Sequence, residues 1–173
     1  MSTVSFARHV VLPSPLGELT VVVSEGAITH VLMDAAKHRP DAGTLGEPGD
    51  SREKPFAAAA QQLAAYFAGR LRTFDLPLAP QGEDFQQRVW ALLREIPYGH
   101  TRSYGDLAVA LGDRNLAQAV GTANGRNPIA VVVPCHRVIG ADGSLVGYAG
   151  GLARKRLLLA LEEPHPGEAG RLF

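Results

Sequence analysis

Blocks of apolar residues separated by turn sequences dominate the first third of the chain, and they predict short strands. Apolar runs occupy residues 9–12, 19–23 and 27–32, and the second run is rich in β-branched residues, which favour strands. Turn residues, including proline, serine and glycine, separate the runs at 13–17 and 24–26. The pattern predicts three consecutive strands in a small antiparallel sheet.

The pattern changes from strand-like to helical after residue 55. Residues 34–54 show no period and predict a surface loop, and Pro55 then opens a helix predicted over residues 56–68. Its buried face is predicted from apolar residues at helical spacing, namely Phe56, Ala59, Ala60, Leu63 and Phe67. The proline-rich stretch 76–80 breaks the period. It predicts a domain boundary, with domains 1–80 and 81–173.

The second half of the chain has a helical pattern. One helix is predicted over about 84–95 and a second over 104–111, where Ser103 and Asp106 form a start of the capping-box type. A third helix is predicted over 116–124. Two short helices joined by a tight turn predict a helix-turn-helix, for which an ordinary helical hairpin is the alternative. The fold class is therefore α+β, with a sheet-containing first domain and a helical second domain.

The helix predicted over 116–124 carries mainly small or neutral side chains, with Arg114 and Arg126 at its two ends. A helix with such a slim face can approach another surface closely, including a nucleic-acid groove. A last helix is predicted over about 153–163, and the tail from Pro164 is expected to be loose.

The single cysteine, Cys135, follows an apolar run and Pro134 and precedes His136 and Arg137. A thiol attacks as the thiolate, which neighbouring basic groups favour. The alternative is a small apolar side chain in a buried segment. Because residues 129–133 are short and apolar, they are predicted to be buried, with Cys135 shielded yet reachable.

Composition limits the protein classes that fit. The chain has 173 residues, of which 46% are hydrophobic, as in globular proteins. One cysteine permits neither an internal disulfide nor a cysteine-based zinc cluster, so we expect no metal. The first seven residues do not resemble a signal peptide, and no apolar run is long enough to span a membrane. These features predict a cytoplasmic protein.

The formal net charge is zero, which by itself argues against a nucleic-acid partner. The charge is unevenly placed, however, with a net charge of −3 over residues 1–84 and +5 over residues 85–161. A basic block inside a neutral chain is compatible with a polyanion site, and an arginine-rich surface without such a partner is the alternative.

The sequence around the cysteine resembles that of the O6-alkylguanine-DNA alkyltransferase family. The similar segments are Ser14–Gly17, Arg102–Tyr104, Ala119–Gly121, Asn127-Pro128, Pro134–Val138, Gly147-Tyr148 and Gly150-Gly151. The resemblance covers residues 9 to 163, and in this order and spacing it is highly specific. It implies a helix-turn-helix of winged-helix type. It also implies DNA repair by irreversible, single-use transfer of an alkyl group from O6-alkylguanine, and less readily O4-alkylthymine, to a cysteine.

The resemblance assigns catalytic roles to four residues. Cys135 matches the acceptor, and His136 matches the histidine that takes the thiol proton through a water molecule. Glu162 matches the carboxylate that orients the histidine, so that nucleophile, base and orienting group follow the logic of a hydrolase triad. Asn127 matches the asparagine that steadies the loop around the thiol. Plain structural roles at a helix end remain alternatives for Glu162 and Asn127.

The resemblance also implies a partner, double-stranded DNA bound in the minor groove by a monomer without a cofactor. Tyr104 matches the tyrosine that promotes rotation of the target base out of the stack. The other residues predicted to contact DNA are Arg114, Gln118, Gly121, Thr122 and Arg126. The residues predicted to line the substrate pocket are Val138, Tyr148, Ala149 and Gly150, where Tyr148 would hydrogen-bond the base.

One position departs from the family pattern. Gln118 stands where the family usually has an arginine that fills the gap left by the flipped base. Glutamine can hydrogen-bond the orphaned base but brings no charge, so weaker and less salt-sensitive DNA binding is expected, with Arg114 or Arg126 as partial compensation. A turnover cysteine hydrolase, a redox sensor and a lesion-binding module that lacks alkyl transfer are the competing functions.

Overall fold

The first half of the chain forms a four-stranded sheet with a helix packed on it. The computed structural model describes residues 7–163. Strands β1 (Arg8–Leu12), β2 (Leu19–Ser24) and β3 (Ala27–Met33) form two antiparallel pairs, as the apolar runs predict. A short strand, β4 (Glu47–Pro48), pairs parallel with β1 and gives the order β3-β2-β1-β4.

The structure corrects the surface loop predicted over residues 34–54. Within this stretch lie a one-turn helix, α1 (Ala42–Leu45), and strand β4. The pairing of β4 uses backbone groups, with the Glu47 N–H donating to the Ala7 carbonyl at 3.1 Å. Because a two-residue strand held by its backbone needs no alternating side chains, it leaves no period in the sequence.

Helix α2 (Lys54–Phe67) packs its apolar face against the sheet, and Pro55 lies in its first turn. Its buried residues are Phe56, Ala59, Leu63 and Tyr66. The prediction named Ala60 and Phe67 in this face, but both are only half-buried. Tyr66 takes the inward position one turn after Leu63, which carries a hydroxyl group into the interior.

The second half is built from four helices that lie within two residues of their predicted bounds: α3 (Asp84–Arg94), α4 (Tyr104–Ala110), α5 (Ala117–Gly125) and α6 (Leu152–Glu162). The predicted capping box starts α4: the Ser103 hydroxyl accepts from the Asp106 N–H at 3.0 Å, and the Asp106 carboxylate accepts from the Ser103 N–H at 2.9 Å. A 3-10 turn (Arg114–Leu116) leads into α5, which packs against α4.

A second, two-stranded sheet lies beside the helices. Strands β5 (Arg102–Ser103) and β6 (Val138–Ile139) pair in parallel. The pair joins the start of α4 to the segment that follows Cys135. The winged-helix classification stays a prediction.

Strand β3 connects the two halves through its backbone. The Val31 N–H donates to the Pro128 carbonyl at 3.0 Å, and the Val31 carbonyl accepts from the Ala130 N–H at 3.1 Å. A single hydrophobic core takes side chains from the sheet, α2 and the C-terminal helices. The segment leading to Cys135 is therefore anchored on the N-terminal sheet, while the boundary near residue 80 stays a prediction.

Candidate active site around Cys135

A tight turn delivers Cys135 to the interior. The apolar run before it is not a strand, because the Val133 N–H donates to the Ile129 carbonyl at 3.0 Å and Val131 has φ of 69°. A β-branched residue rarely adopts a positive φ, so this turn is strained. Cys135 then begins a 3-10 turn (Cys135–Arg137) with 6% of its surface exposed. The thiol is shielded, as the sequence predicts.

The side chain of Asn127 bridges this turn. Its amide group donates to the Val133 carbonyl at 2.8 Å and to the Ile129 carbonyl at 3.3 Å. Its amide oxygen accepts from the Ile129 N–H at 3.1 Å. The structure therefore brings Asn127 to the loop that the sequence analysis expected it to steady.

A second asparagine, Asn124, lies on the other side of the cysteine and was not predicted. It projects from α5, and its amide group donates to the Cys135 carbonyl at 3.3 Å. Its amide oxygen is buried and has no hydrogen-bond partner among residues 7–163. Helix α5, which carries predicted DNA contacts, is thus hydrogen-bonded directly to the backbone of the candidate nucleophile.

His136 and Glu162 form a buried pair. The His136 Nε2 atom lies 2.8 Å from the Glu162 Oε2 atom, and the histidine is fully buried. Burial lowers the pKa of His136 despite the carboxylate beside it, so the ring is neutral and able to accept a proton at neutral pH. Its Nδ1 atom has no partner within the described chain.

Arg137 holds the same carboxylate in a forked arrangement. Its Nε atom donates to Glu162 Oε1 at 2.8 Å and its Nη2 atom to Oε2 at 3.0 Å, while Nη1 donates to the Ile96 carbonyl at 2.7 Å. The guanidinium also lies over the Tyr98 ring, 5.7 Å from its centroid. Arginine suits this site because its planar donors match a carboxylate.

The fourth hydrogen bond to Glu162 comes from the N-terminal half. The Tyr66 hydroxyl on α2 donates to Glu162 Oε2 at 2.5 Å. The bonds from His136, Arg137 and Tyr66 outweigh burial and lower the pKa of Glu162 to about 2. Glu162 is therefore a carboxylate throughout the physiological pH range, as an orienting group must be.

Burial also determines the protonation state of the Cys135 thiol. It raises the pKa of Cys135, whereas the side chains of Asn127 and Tyr148 and the charge of Lys155 act to lower it. Since burial dominates, the resting residue is a thiol rather than a thiolate. A base is needed to activate it, and the neutral His136 is the adjacent candidate.

Lys155 is a buried cation in the centre of α6. It is fully buried, and its ammonium group donates to the Val138 carbonyl at 2.6 Å and the Val146 carbonyl at 2.9 Å. Burial lowers its pKa, and the charge of Cys135 opposes that shift. The sequence pattern assigned it no role. The structure separates it from its exposed neighbour Arg156.

A cavity of about 250 Å³ opens beside Cys135. Tyr148, Ala149 and Gly150 line it as predicted, and the Tyr148 hydroxyl is buried without a well-aligned hydrogen bond among the described residues. Val138 is instead fully buried in the core and is not part of the cavity wall. A side chain at Gly150 would meet the Met33 sulfur at 2.5 Å, so glycine keeps the cavity open.

The residues predicted to contact DNA lie on and beside α5, away from the buried pair. Arg114, Gln118, Thr122 and Arg126 are exposed, and Gly121 is half-buried with Tyr104 close to its backbone. The Tyr104 hydroxyl donates to the Val146 carbonyl at 3.0 Å. Arg126 also lines the cavity that holds Cys135, so the exposed face and the cavity meet at this end of the helix.

Four residues of the site escaped assignment from the sequence: Tyr66, Asn124, Arg137 and Lys155. The helical period of α2 carried a signal for Tyr66, which follows Leu63 by three positions. For Lys155, the signal was its position on the face of α6 that the helical spacing predicts to be buried. Nothing in the sequence pairs Tyr66 with Glu162, because 96 positions separate them.

No helix within residues 7–163 is both long and apolar enough to cross a membrane. In the same part of the chain, no group of three or more histidine, cysteine, aspartate or glutamate side chains could hold a metal ion.

Comparison with protein families matches both halves of the chain. Residues 8–80 match the family described as 6-O-methylguanine DNA methyltransferase, ribonuclease-like domain. Residues 84–164 match 6-O-methylguanine DNA methyltransferase, DNA binding domain. Together the two matches cover nearly the whole described chain.

Individual relatives are similar over most of their length. Methylated-DNA–protein-cysteine methyltransferase of Mycolicibacterium paratuberculosis is 50% identical over 161 residues, which is 92% of this chain and 94% of the relative. The protein of the same name from Methanosarcina barkeri is 48% identical, covering 88% of this chain and 95% of the relative. The crystal structure of Mycobacterium tuberculosis OGT in complex with DNA aligns with a TM-score of 0.84 and 49% identity, over 90% of this chain and 92% of that one.

Proposed function

The chain belongs to the 6-O-methylguanine DNA methyltransferase family, and we infer that it repairs DNA by transferring an alkyl group from O6-alkylguanine to its own Cys135. The observation that carries this proposal is the placement of the only cysteine. It lies on a cavity wall next to a neutral, buried histidine that is hydrogen-bonded to a carboxylate. The DNA-binding activity follows from the same family membership, and the packed helices α4 and α5 beside the cavity support it.

The proposed reaction begins with a proton transfer. The Cys135 thiol proton passes to His136 Nδ1, through a water molecule in the mechanism that the family resemblance implies. His136 can accept it because burial keeps the ring neutral and because Glu162, across the ring, stabilises the imidazolium that forms. The positive charge of Lys155 favours the resulting thiolate.

Alkyl transfer is then a displacement at carbon. The thiolate sulfur forms a bond to the alkyl carbon, the bond from that carbon to O6 breaks, and its electron pair stays with the guanine. A donor to the guanine helps this departure, and the buried hydroxyl of Tyr148 is placed on the cavity wall to serve. The guanine then takes up a proton equivalent to the one that left the thiol, so the products are S-alkylcysteine, neutral His136 and an unmodified base.

The reaction occurs once per molecule. A thioether carbon is not activated toward water, and the acceptor sulfur is a protein atom rather than a bound cofactor. No group is therefore regenerated, so the protein acts as a stoichiometric transferase. A hydrolase with the same cysteine and histidine would release its product and turn over.

Access to the buried sulfur implies base flipping. A base stacked in duplex DNA cannot enter a cavity next to a thiol that is 6% exposed, so the target base has to rotate out of the helix. Small side chains on α5 favour insertion into the minor groove, where readout is largely independent of sequence. Tyr104 packs near Gly121 of this helix, which supports the role in base flipping that the family resemblance implies for it.

Three further features complete the proposal. We propose that the protein acts as a monomer, since each chain contains all parts of the site. We propose a cytoplasmic location, where a reducing environment keeps the lone thiol free. Gln118 in place of arginine makes DNA binding weaker and less salt-dependent than in an arginine-bearing relative.

The test is intact mass measurement after incubation with duplex DNA containing O6-methylguanine. A gain of one methyl group per chain, mapped to Cys135 and absent from Cys135→Ser, is the expected result. An unchanged mass of the native chain refutes the function. More than one equivalent of repaired base per chain indicates turnover and favours a different enzyme class.

A further inference from the structure

One hydrogen bond joins the N-terminal half of the chain to the catalytic pair. The Tyr66 hydroxyl on α2 donates to Glu162 Oε2 at 2.5 Å, and the same oxygen lies 2.8 Å from His136 Nε2. Resting on the proposed function, we propose that Tyr66 is a positioning residue for alkyl transfer, through which the N-terminal half fixes the carboxylate oxygen that orients His136. Neither the family matches nor the sequence pattern assigns this role.

The packing around Tyr66 makes its hydroxyl a fixed donor. Tyr66 is fully buried. Its ring meets Phe67 edge to face at 5.2 Å, Phe74 at 5.3 Å in a tilted arrangement, and Tyr98 edge to face at 6.2 Å between centroids. Aromatic contacts on several sides leave the ring no alternative position. The hydroxyl therefore points at the carboxylate before any substrate binds.

The donors are unevenly shared between the two carboxylate oxygens. Arg137 takes Oε1 and shares Oε2 with His136, so Tyr66 is the third donor on Oε2 in a site closed to solvent. It concentrates donors on Oε2 and so opposes rotation of the carboxylate toward Arg137 alone. A rotation of this kind would turn Oε2 away from the histidine ring.

The hydrogen bond from Tyr66 to Glu162 also affects the pKa of His136. Each donor on Oε2 spreads the carboxylate charge and weakens its pull on the proton of His136. Removing the Tyr66 hydroxyl would therefore raise the pKa of His136 and make the imidazolium more stable. The charged and titratable groups that act on the pair are Tyr66 on α2, Arg137 in the 3-10 turn and Lys155 on α6.

The chain offers a matched control. The Tyr98 hydroxyl donates to the Leu161 carbonyl at 3.1 Å, one residue before Glu162. Tyr66→Phe and Tyr98→Phe each remove one oxygen and keep the ring, in the same cluster. Only Tyr66→Phe removes a hydrogen bond to the Glu162 carboxylate. A difference in transfer rate between the two variants therefore distinguishes a positioning role from a general effect on packing.

The experiment measures the rate of methyl transfer from O6-methylguanine DNA in single turnover between pH 5 and 9, for the native full chain and both variants. For Tyr66→Phe we expect transfer slower by about threefold or more and an acidic limb moved up by about half a pH unit. DNA affinity should be unchanged, because α5 is untouched. Tyr98→Phe should keep the native profile.

Two outcomes overturn the proposal: a native pH profile for Tyr66→Phe, or the same change in both variants. The profile is measured in parallel with iodoacetamide, which alkylates Cys135 without DNA. If the native chain fails to accept methyl from DNA, the proposed function is refuted, while the iodoacetamide profile still decides whether Tyr66 controls the pair.

Discussion

The polar side chains around Cys135 and those on the exposed face of α5 differ in burial and in hydrogen bonding. Glu162 and His136 are buried and bonded to each other, and the carboxylate receives four hydrogen bonds. On α5, Gln118 and Arg126 are exposed, and the hydrogen bond within this face runs from the Thr122 hydroxyl to the Gln118 carbonyl at 3.3 Å. Both regions serve the proposed reaction, yet one is rigid and the other is open.

The difference follows from what each region has to do. The proton transfer requires fixed distances, so its groups are locked by packing and charge before substrate arrives. The proposed DNA-contacting face of α5 has to accept many DNA sequences around a lesion, so it presents small side chains and exposed polar groups that water or phosphate can reach. A substitution should therefore cost folding stability in the first region and alter only binding in the second.

The largest expected effect is on the buried ion pair. Arg137→Met leaves the Glu162 carboxylate buried with its forked partner removed. Breaking one side of a buried pair typically destabilises by about 3–5 kcal/mol. Denaturant unfolding at pH 7 measures this as a lower midpoint with an unchanged slope.

The control for Arg137→Met is an exposed ion pair, Arg52 with Asp50 at 2.9 Å. Arg52→Met should leave the unfolding midpoint nearly unchanged, since exposed pairs contribute little. Equal losses for the two variants would contradict the contrast between the interior and the surface.

The second-largest expected effect is the pH dependence of folding stability that Glu162 causes. The pKa of Glu162 falls from an ordinary value of 4.5 to about 2 on folding, so its contribution is complete above pH 4.5 and is lost as the pH falls toward 2. That shift corresponds to about 3 kcal/mol. His136 acts in the same direction at higher pH, because burial lowers its pKa and the unfolded chain takes up the proton first.

The measurement compares unfolding free energies of the native chain and Glu162→Gln between pH 6 and 2. The difference between them should be largest near pH 6 and shrink as the carboxylate is protonated. A difference that stays constant over this range would mean that the charge of Glu162 does not stabilise the fold.

A third substitution tests the buried cation. Lys155→Met removes the donor to the Val138 and Val146 carbonyls. The Val146 carbonyl keeps its bond from the Tyr104 hydroxyl, whereas loss of the donor to the buried Val138 carbonyl costs about 2 kcal/mol. It also removes a charge that favours the thiolate, so the reaction of Cys135 with iodoacetamide should move to higher pH. Arg156→Met, its exposed neighbour on α6, is the control and should change neither quantity.

The contrast between the two regions also explains what the sequence could predict. Strands β1 to β3 were predictable because they form continuous apolar runs, which β2 and β3 bury along almost their whole length. The four C-terminal helices were predictable because they bury one face and so carry apolar residues at helical spacing. Cys135 and His136 were identified by their immediate neighbours, and the family resemblance supplied Glu162 and Asn127. These signals are local in sequence or shared with relatives.

The remaining residues were not predictable for a physical reason. Tyr66 and Lys155 act through single polar atoms at the ends of side chains whose apolar parts fit an ordinary core period. The partner of Tyr66 lies 96 positions away in the sequence, and the partners of Lys155 are backbone carbonyls. A periodic pattern of apolar residues contains no information about either kind of contact. Strand β4 was missed because its pairing involves backbone atoms of two residues.

The smallest expected effect lies on the open surface. Gln118→Arg adds a cation to an exposed position of α5 without disturbing any side-chain hydrogen bond of the described chain, so folding stability should not change. DNA binding should tighten by about threefold to tenfold at low salt, and the slope of log affinity against log salt should steepen by about 1. Titration of lesion-containing duplex at several salt concentrations measures both.

Gln61→Arg controls for net charge in the Gln118→Arg experiment, because residue 61 is exposed on α2 in the N-terminal half. A tighter complex with both variants would reflect overall charge and not the position on α5. Unchanged affinity of Gln118→Arg at every salt concentration would contradict the assignment of this helix to DNA. An exposed face should tolerate a new charge, whereas the buried region around Glu162 should not. A lower unfolding free energy for Gln118→Arg would therefore contradict the contrast between the exposed face of α5 and the interior.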